Sequence, residues 1–213
     1  MEQLTHKDIE NKRAQFPITI VCDAIRTPEN IGMCFRISES FGVQKIYLHE
    51  NSPSLENKIV QKTARNTVHQ IQQASYDNFD ALIEQLKQEG NTIIGIEITD
   101  KSINIQDFNF KNHGKIALLL GSERNGIQNI GLVDKTVAIP MFGRNSSMNV
   151  IHSLAIALYE VTNQLSVICS SSSGSGSSSG SSSGSGSSSG SSSSSSSGSG
   201  SGSSSSSGFK FRK

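Results

Sequence analysis

Short runs of aliphatic and β-branched residues, each the length of a strand, constrain the fold of this chain most. They are ITIVC at Ile18–Cys22, KIYLH at Lys45–His49, TIIGIEI at Thr92–Ile98 and IALLL at Ile116–Leu120. Continuous runs without alternation, such as ITIVC, are typical of strands that are buried on both faces, and IALLL is the most apolar of the four. Helical patterns separate the first three runs, so we predict an α/β domain with a mostly parallel sheet flanked by helices.

The helices between these runs are marked by capping residues and by helical spacing. The predicted helices lie at Glu29–Phe41, at Ser54–Arg65 and, capped by Asp77, from there to Gly90. The remaining segments are predicted as a short strand at Val68–Ala74, a loop at Asp100–Gly114, a short helix near Gln128–Asp134 and a strand at Thr136–Pro140.

Composition divides the chain into three parts. The segment Ser170–Gly208 contains only serine and glycine, so it lacks the apolar surface that offsets ordering entropy. We therefore expect an N-terminal helical extension at 1–16, one folded domain at 17–169 and a disordered tail with a basic end at 170–213. Residues before the tail include 16 basic and 18 acidic side chains, a net charge of −2, so RNA binding requires a local basic patch.

Several classes of protein are disfavoured by the same composition. Three cysteines without a pattern (Cys22, Cys34 and Cys169) favour a reduced intracellular protein, and we expect a cytoplasmic one. No apolar run is long enough to span a bilayer, so no membrane partner is expected. The five histidines lack the spacing of metal ligands, so no metal site is expected.

A polar turn lies between a strand and a long helix at Ile139–Glu160, IPMFGRNSSMNVIHSLAIALYE. The simplest interpretation is a helix cap, with Ser146 or Ser147 accepting from a free amide of the first turn. A cap needs one such residue, however, whereas Asn145 and Asn149 also crowd this helix entrance. Free N–H groups at a helix start suit a polar ligand, so the turn is a candidate binding element.

Other polar loops are predicted at the carboxyl ends of the strands, where parallel sheets bind ligands. The candidate loops are Asp23–Asn30, Glu97–Asp100, Gly121–Gly126 and Met141–Ser147. For Glu123, the alternative is an ordinary strand-to-helix turn. Arg36 has Gly32 and Ser40 four residues to either side, which predicts space along that helix face, although pairing with Glu29, Glu39 or Asp23 is the alternative. Neither dinucleotide-binding nor P-loop glycine patterns are present.

Three motifs together resemble the SpoU/TrmH family of RNA ribose 2'-O-methyltransferases, within the SPOUT superfamily. NIGMCFR at Asn30–Arg36, followed by ESFGV, resembles N-x-G-x-x-x-R-x-x-x-x-F-G. LGSERNG at Leu120–Gly126 resembles L-G-x-E-x-x-G, and IPMFGRNSSMNV at Ile139–Val150 resembles I-P-M-x-G-x-x-x-S-L-N-V. The likeness covers about 17–165. Met148 replaces the usual leucine, and His152 stands where the family has small residues.

The resemblance implies a C-terminal trefoil knot, a homodimer and a site for S-adenosylmethionine, which is bound mainly by backbone groups. The implied cofactor-binding residues are Glu97, Ile98, Thr99, Leu120, Gly121, Ser122, Glu123, Gly126, Ile139, Met141, Ser147, Met148 and Asn149. The implied catalytic residues are Arg36, Asn30, Glu123, Ser147 and Asn149. Arg36 either activates the ribose hydroxyl or remains charged and stabilises the developing alkoxide.

The implied substrate is structured RNA. About sixteen residues precede the first strand, which leaves no room for the additional RNA-binding domain of some relatives, so tRNA is favoured over rRNA as the substrate. Weak candidates for phosphate contacts are Arg26, Lys58, Lys62 and Arg65. An rRNA methyltransferase and a non-catalytic RNA-binding protein that retains the knot are the alternatives.

Overall fold

A computed structural model describes residues 3, 4, 8 and 13–171 of the chain, with backbone alone at 167–171. The predicted N-terminal helix lies largely outside the described residues. Arg13–Gln15 have no regular secondary structure, and Phe16, which was expected to end that helix, begins the first strand. The predicted serine-glycine tail also lies outside the described residues, except for its first two positions, which end the last helix.

Strands and α-helices alternate from residue 16 to residue 96, as the sequence predicts, but the strands between residues 91 and 138 are joined by loops and 3-10 turns and not by α-helices. The strands are β1 (Phe16–Cys22), β2 (Val43–His49), β3 (Gln72–Tyr76), β4 (Asn91–Ile96), β5 (Ile103–Asn104), β6 (Lys115–Leu120) and β7 (Lys135–Ala138). The helices are α1 (Pro28–Ser40), α2 (Lys58–Ala64), α3 (Phe79–Gln88) and α4 (Val150–Ser171).

All seven described strands form one sheet in the order β3-β2-β1-β6-β4-β7-β5, and every pair is parallel. The α/β prediction is therefore confirmed. Because the strands are parallel, their carboxyl ends lie along one edge. That edge brings together the loops that follow β1, β4, β6 and β7.

Each face of the sheet is covered by its own apolar cluster. Ile20 of β1 packs on one face with Phe35 of α1 and Leu158 of α4. Val21 points to the other face and packs with Ile83 of α3. This burial on both faces explains why β1 and β6 appear in the sequence as continuous apolar runs.

The predicted loop at Asp100–Gly114 is more ordered than expected. It contains β5 and two turns of 3-10 helix, Ile105–Asp107 and Phe110–Asn112, with Ile105, Phe108 and Phe110 buried. Gln164 of α4 holds the segment, because its Oε1 accepts from the Phe110 N–H at 2.9 Å and its Nε2 donates to the Phe108 carbonyl at 3.0 Å. A contact 54 residues distant in sequence is invisible to local patterning.

Asparagines cap three helices at positions that differ from the predicted ones. The α2 cap is Asn57, so this helix starts later than Ser54. The α3 cap is Asn78, not Asp77, and its Oδ1 accepts from the Ala81 N–H at 3.0 Å. At α4, Asn149 accepts from the Ile151 N–H at 2.8 Å, so neither serine of the preceding turn has the role that we predicted.

Smaller differences affect two other predicted elements. The strand expected at Val68–Ala74 starts later, as β3, and a 3-10 turn precedes it at Thr67–His69. The helix expected at Gln128–Asp134 is a 3-10 turn at Ile130–Leu132.

Helix α2 fills the space that the small residues beside Arg36 were expected to leave. A Cβ at Gly32 would overlap the Thr63 hydroxyl and would lie 2.6 Å from the Val60 carbonyl oxygen. The Ser40 hydroxyl donates to the Arg36 carbonyl within α1. Gly32 is therefore required for close packing of two helices and not for a ligand.

No helix in the part of the chain that the structure describes is long and apolar enough to cross a membrane.

Candidate functional site

A cavity of about 320 Å³ opens at the carboxyl ends of β4, β6 and β7, beside the start of α4. Its lining combines apolar strand ends with backbone and polar groups of three loops. The lining residues are Ile96, Glu97, Ile98, Leu120, Gly121, Ser122, Glu123, Gly126, Val137, Ala138, Ile139, Met141, Ser147, Met148, Asn149, Val150 and Ser153.

The loop after β6 forms a tight turn along the cavity. The Ser122 N–H donates to the Gly126 carbonyl at 2.9 Å, and the Gly126 N–H donates back to Ser122 at 3.2 Å. Gly126 has φ of +66°, a conformation that favours glycine. A Cβ at Gly121 would overlap the backbone of Gly126 and Ile127. These glycines allow the loop backbone to fold closely on itself beside the cavity.

Glu123 joins this loop to the segment that follows β1. Its carboxylate accepts from the Arg26 N–H at 3.3 Å and from the Thr27 N–H at 3.2 Å. The Asn30 side chain donates to Oε1 at 2.9 Å. These donors come from the start of α1, so Glu123 lies at a helix N-terminus, where a negative charge is stabilised.

The same donors keep Glu123 ionised. Burial raises the pKa of Glu123, but the hydrogen bonds from Asn30, Thr27 and Arg26 outweigh it and leave the pKa below its usual value. At neutral pH the loop therefore carries a fixed negative charge.

Asn30 extends the hydrogen-bonded chain to the third motif. Nδ2 of Asn30 donates to Glu123, which leaves Oδ1 of Asn30 as an acceptor. Nδ2 of Asn149 donates to that Oδ1 at 3.3 Å. Oδ1 of Asn149 in turn accepts from the Ile151 N–H of α4. The carboxylate at one end fixes the orientation of both amides. One residue from each of the three sequence motifs is thereby joined.

Glu97 contributes a second carboxylate from the loop after β4. Its Oε1 accepts from the Ile98 N–H at 3.0 Å. Its Oε2 accepts no hydrogen bond from the described residues and lies against Gly126, where a Cβ would come within 2.5 Å of it. Within the described residues, the lining thus includes two carboxylates and no Lys, Arg or His, so the cavity suits a cationic ligand.

The structure brings most of the predicted site residues together. Every predicted cofactor-binding residue lines the cavity except Thr99. The Thr99 hydroxyl instead contacts those of Ser102 at 2.9 Å and Thr136 at 3.2 Å. The lining also includes Ile96, Val137, Ala138, Val150 and Ser153, which we did not predict. Their common signal is position at a strand end or in the first turn of a helix.

Arg36 does not line the cavity of its own chain. It lies on α1, six positions after Asn30, and is half-buried. The predicted alternatives were ion pairs with Glu29, Glu39 or Asp23, yet within the described residues its guanidinium makes no ion pair. Its charge is therefore available to a group from outside this part of the chain.

Asp23 begins the predicted loop after β1, but its burial was not predicted. Its side chain is wholly buried, and Oδ2 accepts from the Gln128 N–H at 2.7 Å. Oδ1 has no hydrogen-bond partner among the residues that the structure describes. Burial raises the pKa of Asp23, against the opposing effect of the Gln128 hydrogen bond. Asp23 fastens the end of the Gly121–Gln128 loop to β1.

The four basic residues that we predicted as RNA contacts are all exposed. Lys58 and Lys62 lie on α2, Arg65 follows it, and α2 packs beside α1. Among the described residues, no group of three or more His, Cys, Asp or Glu side chains is arranged to hold a metal ion.

Known proteins share this fold. A TrmH/SpoU tRNA modifying enzyme from A. aeolicus superposes with a TM-score of 0.66 at 21% identity, covering 75% of this chain and 81% of that one. The methyltransferase AviRb from Streptomyces viridochromogenes, solved with AdoMet, superposes with a TM-score of 0.64 at 20% identity, covering 73% and 62%. At these identities the likeness establishes the fold alone.

Sequence comparison goes further. A 23S rRNA (guanosine-2'-O-)-methyltransferase RlmB from Ralstonia nicotianae is 27% identical over 155 residues, 71% of this chain and 61% of that protein. An uncharacterized tRNA/rRNA methyltransferase from Borreliella burgdorferi is 28% identical over 169 residues, 76% and 73% of the two chains. The chain thus spans about 61% of the length of the first relative.

The model of the SpoU rRNA methylase family matches residues 17–159, which include all three motifs and every residue of the cavity. The chain therefore belongs to the SpoU rRNA methylase family.

Proposed function

We propose that this protein transfers the methyl group of S-adenosylmethionine to a ribose 2'-hydroxyl of RNA. The observation that carries this proposal is the hydrogen-bonded chain from Glu123 through Asn30 to Asn149 at the wall of an anionic cavity. It fixes three polar groups, one from each motif, at the carboxyl edge of a parallel sheet, where α/β proteins bind their ligands.

The lining of the cavity fits S-adenosylmethionine. Apolar strand ends such as Leu120, Val137 and Ile139 suit an adenine ring, and the two carboxylates suit the positive charge of the sulfonium and ammonium groups. When bound, the cofactor supplies a methyl group that its sulfonium has already activated. A covalent enzyme intermediate is therefore unnecessary, and the protein's role is positioning and electrostatics.

The residues of the chain divide this role. Glu123 orients Asn30, Asn30 orients Asn149, and Ser147 lies beside Asn149 in the lining. Arg36 contacts the RNA, where it pairs with a phosphate and stabilises the negative charge that develops on the ribose oxygen. Arginine has a pKa above about 12, so it favours loss of the hydroxyl proton through its charge and not as a base.

A homodimer completes the site in this proposal. Arg36 is outside the cavity of its own chain, so we assign its role to the cavity of a partner subunit. Apolar side chains that a monomer would leave in water support this assembly. Phe142, in the third motif, is 98% exposed. Ile98, in the loop after β4, and Ile156 and Tyr159, on α4, are also exposed. Sedimentation is expected to show a dimer, and an active monomer would contradict it.

A trefoil knot is also part of the proposal. Segment 97–102 joins β4 to β5 past the carboxyl end of β7, which lies between those strands. The chain that leaves β7 thus passes beside segment 97–102. The knot would form if this chain passed through the loop that the segment makes. An experimental electron-density map tests the path, since continuous density from Ala138 to Val150 that stays outside the loop would refute the knot.

Ribosomal RNA is the substrate that we propose. The sequence alone favoured tRNA, but that preference is not supported by the relatives, of which several are named as 23S rRNA (guanosine-2'-O-)-methyltransferases. The exposed basic residues of α2, adjacent to the Arg36 helix, would contact phosphates near the target. A tRNA is the second candidate, supported by the structural likeness to a tRNA modifying enzyme.

The domain limits remain part of the proposal, with the methyltransferase domain at 17–169 between an N-terminal extension at 1–16 and a tail at 170–213. We expect a chain that ends after Ser171 to keep the melting temperature and the cofactor affinity of the full chain. A lower melting temperature would show that the tail contributes to the fold.

Methyl transfer from labelled S-adenosylmethionine to purified rRNA and to bulk tRNA tests the proposed function. We expect label in the rRNA, at a nucleotide whose 3'-phosphodiester bond resists alkaline hydrolysis because its 2'-hydroxyl is blocked. Label in tRNA alone would establish the second candidate. Cofactor binding without transfer to either RNA would favour a non-catalytic RNA-binding protein.

A further inference from the structure

The two carboxylates of the cavity differ in how many hydrogen bonds they accept from the protein. Glu123 accepts from two backbone N–H groups and from the Asn30 amide. Glu97 accepts only from its own neighbour, Ile98, and its Oε2 accepts nothing from the described residues. No cationic side chain of the described part of the chain lines the cavity to neutralise either of them. The charge of Glu97 is therefore free to act on a ligand.

Glu97 is also held in place across the cavity wall. It follows β4, while its Oε2 reaches Gly126 in the loop after β6. Gly126 has no side chain, so the carboxylate lies directly against that loop. The hydrogen bond from Ile98 restricts the carboxylate further. A restrained charge on a cavity wall acts on a ligand more strongly than a mobile one on the surface, because less solvent and less entropy oppose it.

We propose that the carboxylate of Glu97 makes the cavity select the sulfonium form of the cofactor over its neutral thioether product. This inference rests on the proposed function. S-adenosylmethionine has a sulfonium, an ammonium and a carboxylate, a net charge of about +1, whereas S-adenosylhomocysteine lacks the sulfonium charge and is neutral overall. The two molecules otherwise differ by one methyl group, so shape alone separates them poorly.

Methyl transfer then weakens the hold of the site on its own product. The C–S bond breaks with its electron pair left on sulfur, the methyl carbon bonds to the ribose oxygen, and the hydroxyl proton leaves to solvent. The sulfur changes from sulfonium to neutral thioether, so its attraction to Glu97 ends. The product dissociates more readily than the donor, and a fresh donor displaces it.

The test is calorimetric binding to the full-length protein without RNA, with S-adenosylmethionine, S-adenosylhomocysteine and sinefungin as ligands. Sinefungin has an amine in place of the methylated sulfur and keeps the positive charge without being a donor. At low salt we expect both charged ligands to bind about tenfold tighter than the thioether. The attraction between Glu97 and a positive charge in the cavity should be stronger than in bulk water and weaker than in a dry protein interior. The ratio should fall as salt is added.

Glu97→Gln keeps the shape of the side chain and removes its charge. This variant should lose most of the roughly tenfold preference, through weaker binding of the two charged ligands, while the affinity for the thioether stays within about twofold. Asp100→Asn is the matched control, because Asp100 is exposed three positions later and does not line the cavity. It should keep the wild-type ratio.

The outcomes separate this inference from the proposed function. If the wild-type protein binds none of the three ligands, the proposed cofactor is wrong. If it binds donor and thioether equally at low salt, or if Glu97→Gln weakens all three ligands alike, the proposed function stands and charge selection by Glu97 is refuted. The wild-type ratio and its salt dependence require no variant, so equal binding of donor and thioether would refute charge selection even if Glu97→Gln folded poorly.

Discussion

The side-chain amide of Asn30 donates to the carboxylate of Glu123 over 2.9 Å, although 93 positions separate the two residues in sequence. Asn30 belongs to α1, which follows β1, and Glu123 follows β6. These two strands are paired in parallel, with Cys22 opposite Leu120, so their carboxyl ends place both residues at one edge. The contact between Asn30 and Glu123 thus depends on the register of β1 against β6.

Removal of the Glu123 charge should change how stability depends on pH. The pKa of Glu123 is lowered in the folded protein, so its contribution to stability is complete above the ordinary pKa of glutamate and is lost as the pH falls through the lowered value. We expect urea unfolding to show a difference between the wild type and Glu123→Gln that is largest at neutral pH and shrinks in acid.

Glu56→Gln is the control for this experiment, since the Glu56 side chain is exposed and accepts no hydrogen bond from the described residues. It removes a charge without removing hydrogen bonds. An unchanged difference between wild type and Glu123→Gln from neutral pH to acid would contradict the lowered pKa.

The two glycines that flank β6 should respond differently to alanine. A Cβ at Gly121 would overlap backbone atoms of Gly126 and Ile127, whereas one at Gly114 meets nothing within 4 Å. We expect Gly121→Ala to lower the free energy of unfolding by about 2 kcal/mol or more and to weaken cofactor binding. Gly114→Ala should change it by about 0.5 kcal/mol or less. Equal effects in denaturant titrations would mean that the loop is not as tightly folded as described.

Asn149 has two functions that separate variants should resolve. It caps α4 through Oδ1 and contacts Asn30 through Nδ2. We expect Asn149→Ala to cost about 1 kcal/mol of stability, while Asn149→Ser restores the cap and most of that stability. Serine has no amide for Asn30, so methyl transfer should remain at least about tenfold below wild type in both variants. Recovery of activity with serine would show that the cap alone matters.

Mixing of two inactive variants tests whether Arg36 acts across subunits. After subunit exchange between Arg36→Ala and Asn149→Ala, one site of each mixed dimer combines an intact Arg36 with an intact Asn149. Random exchange should restore about a quarter of the wild-type activity. If Arg36 serves the cavity of its own chain, every site contains one lesion and the mixture should stay inactive.

The buried strands β1, β2, β4 and β6 and the loops that follow them were predictable because their signals are local, whereas β5 lies in a segment predicted as a loop. Buried apolar runs mark β1 and β6, and the polar residues after them had to meet once the sheet was parallel. The role of Gly32 was not predictable, because the reason for that glycine is Thr63 on a neighbouring helix. The α4 cap was misplaced by two or three positions, because several capping residues stand in a row and tertiary contacts choose among them. Thr99 was predicted to bind the cofactor because it lies in one of the candidate loops, yet its hydroxyl forms hydrogen bonds with those of Ser102 and Thr136.

The oxygen atom of one ribose 2'-hydroxyl in the substrate is the proposed acceptor of the methyl group, so an RNA that lacks this atom is the decisive substrate. Once the methylated nucleotide has been mapped, an RNA is prepared with 2'-deoxyribose at that position alone, and transfer from labelled S-adenosylmethionine is compared with that to the unmodified RNA. We expect the deoxy substrate to accept no label, although it binds the protein as tightly as its unmodified counterpart. Undiminished label at that nucleotide would place the methyl group on the base and would refute ribose 2'-O-methylation.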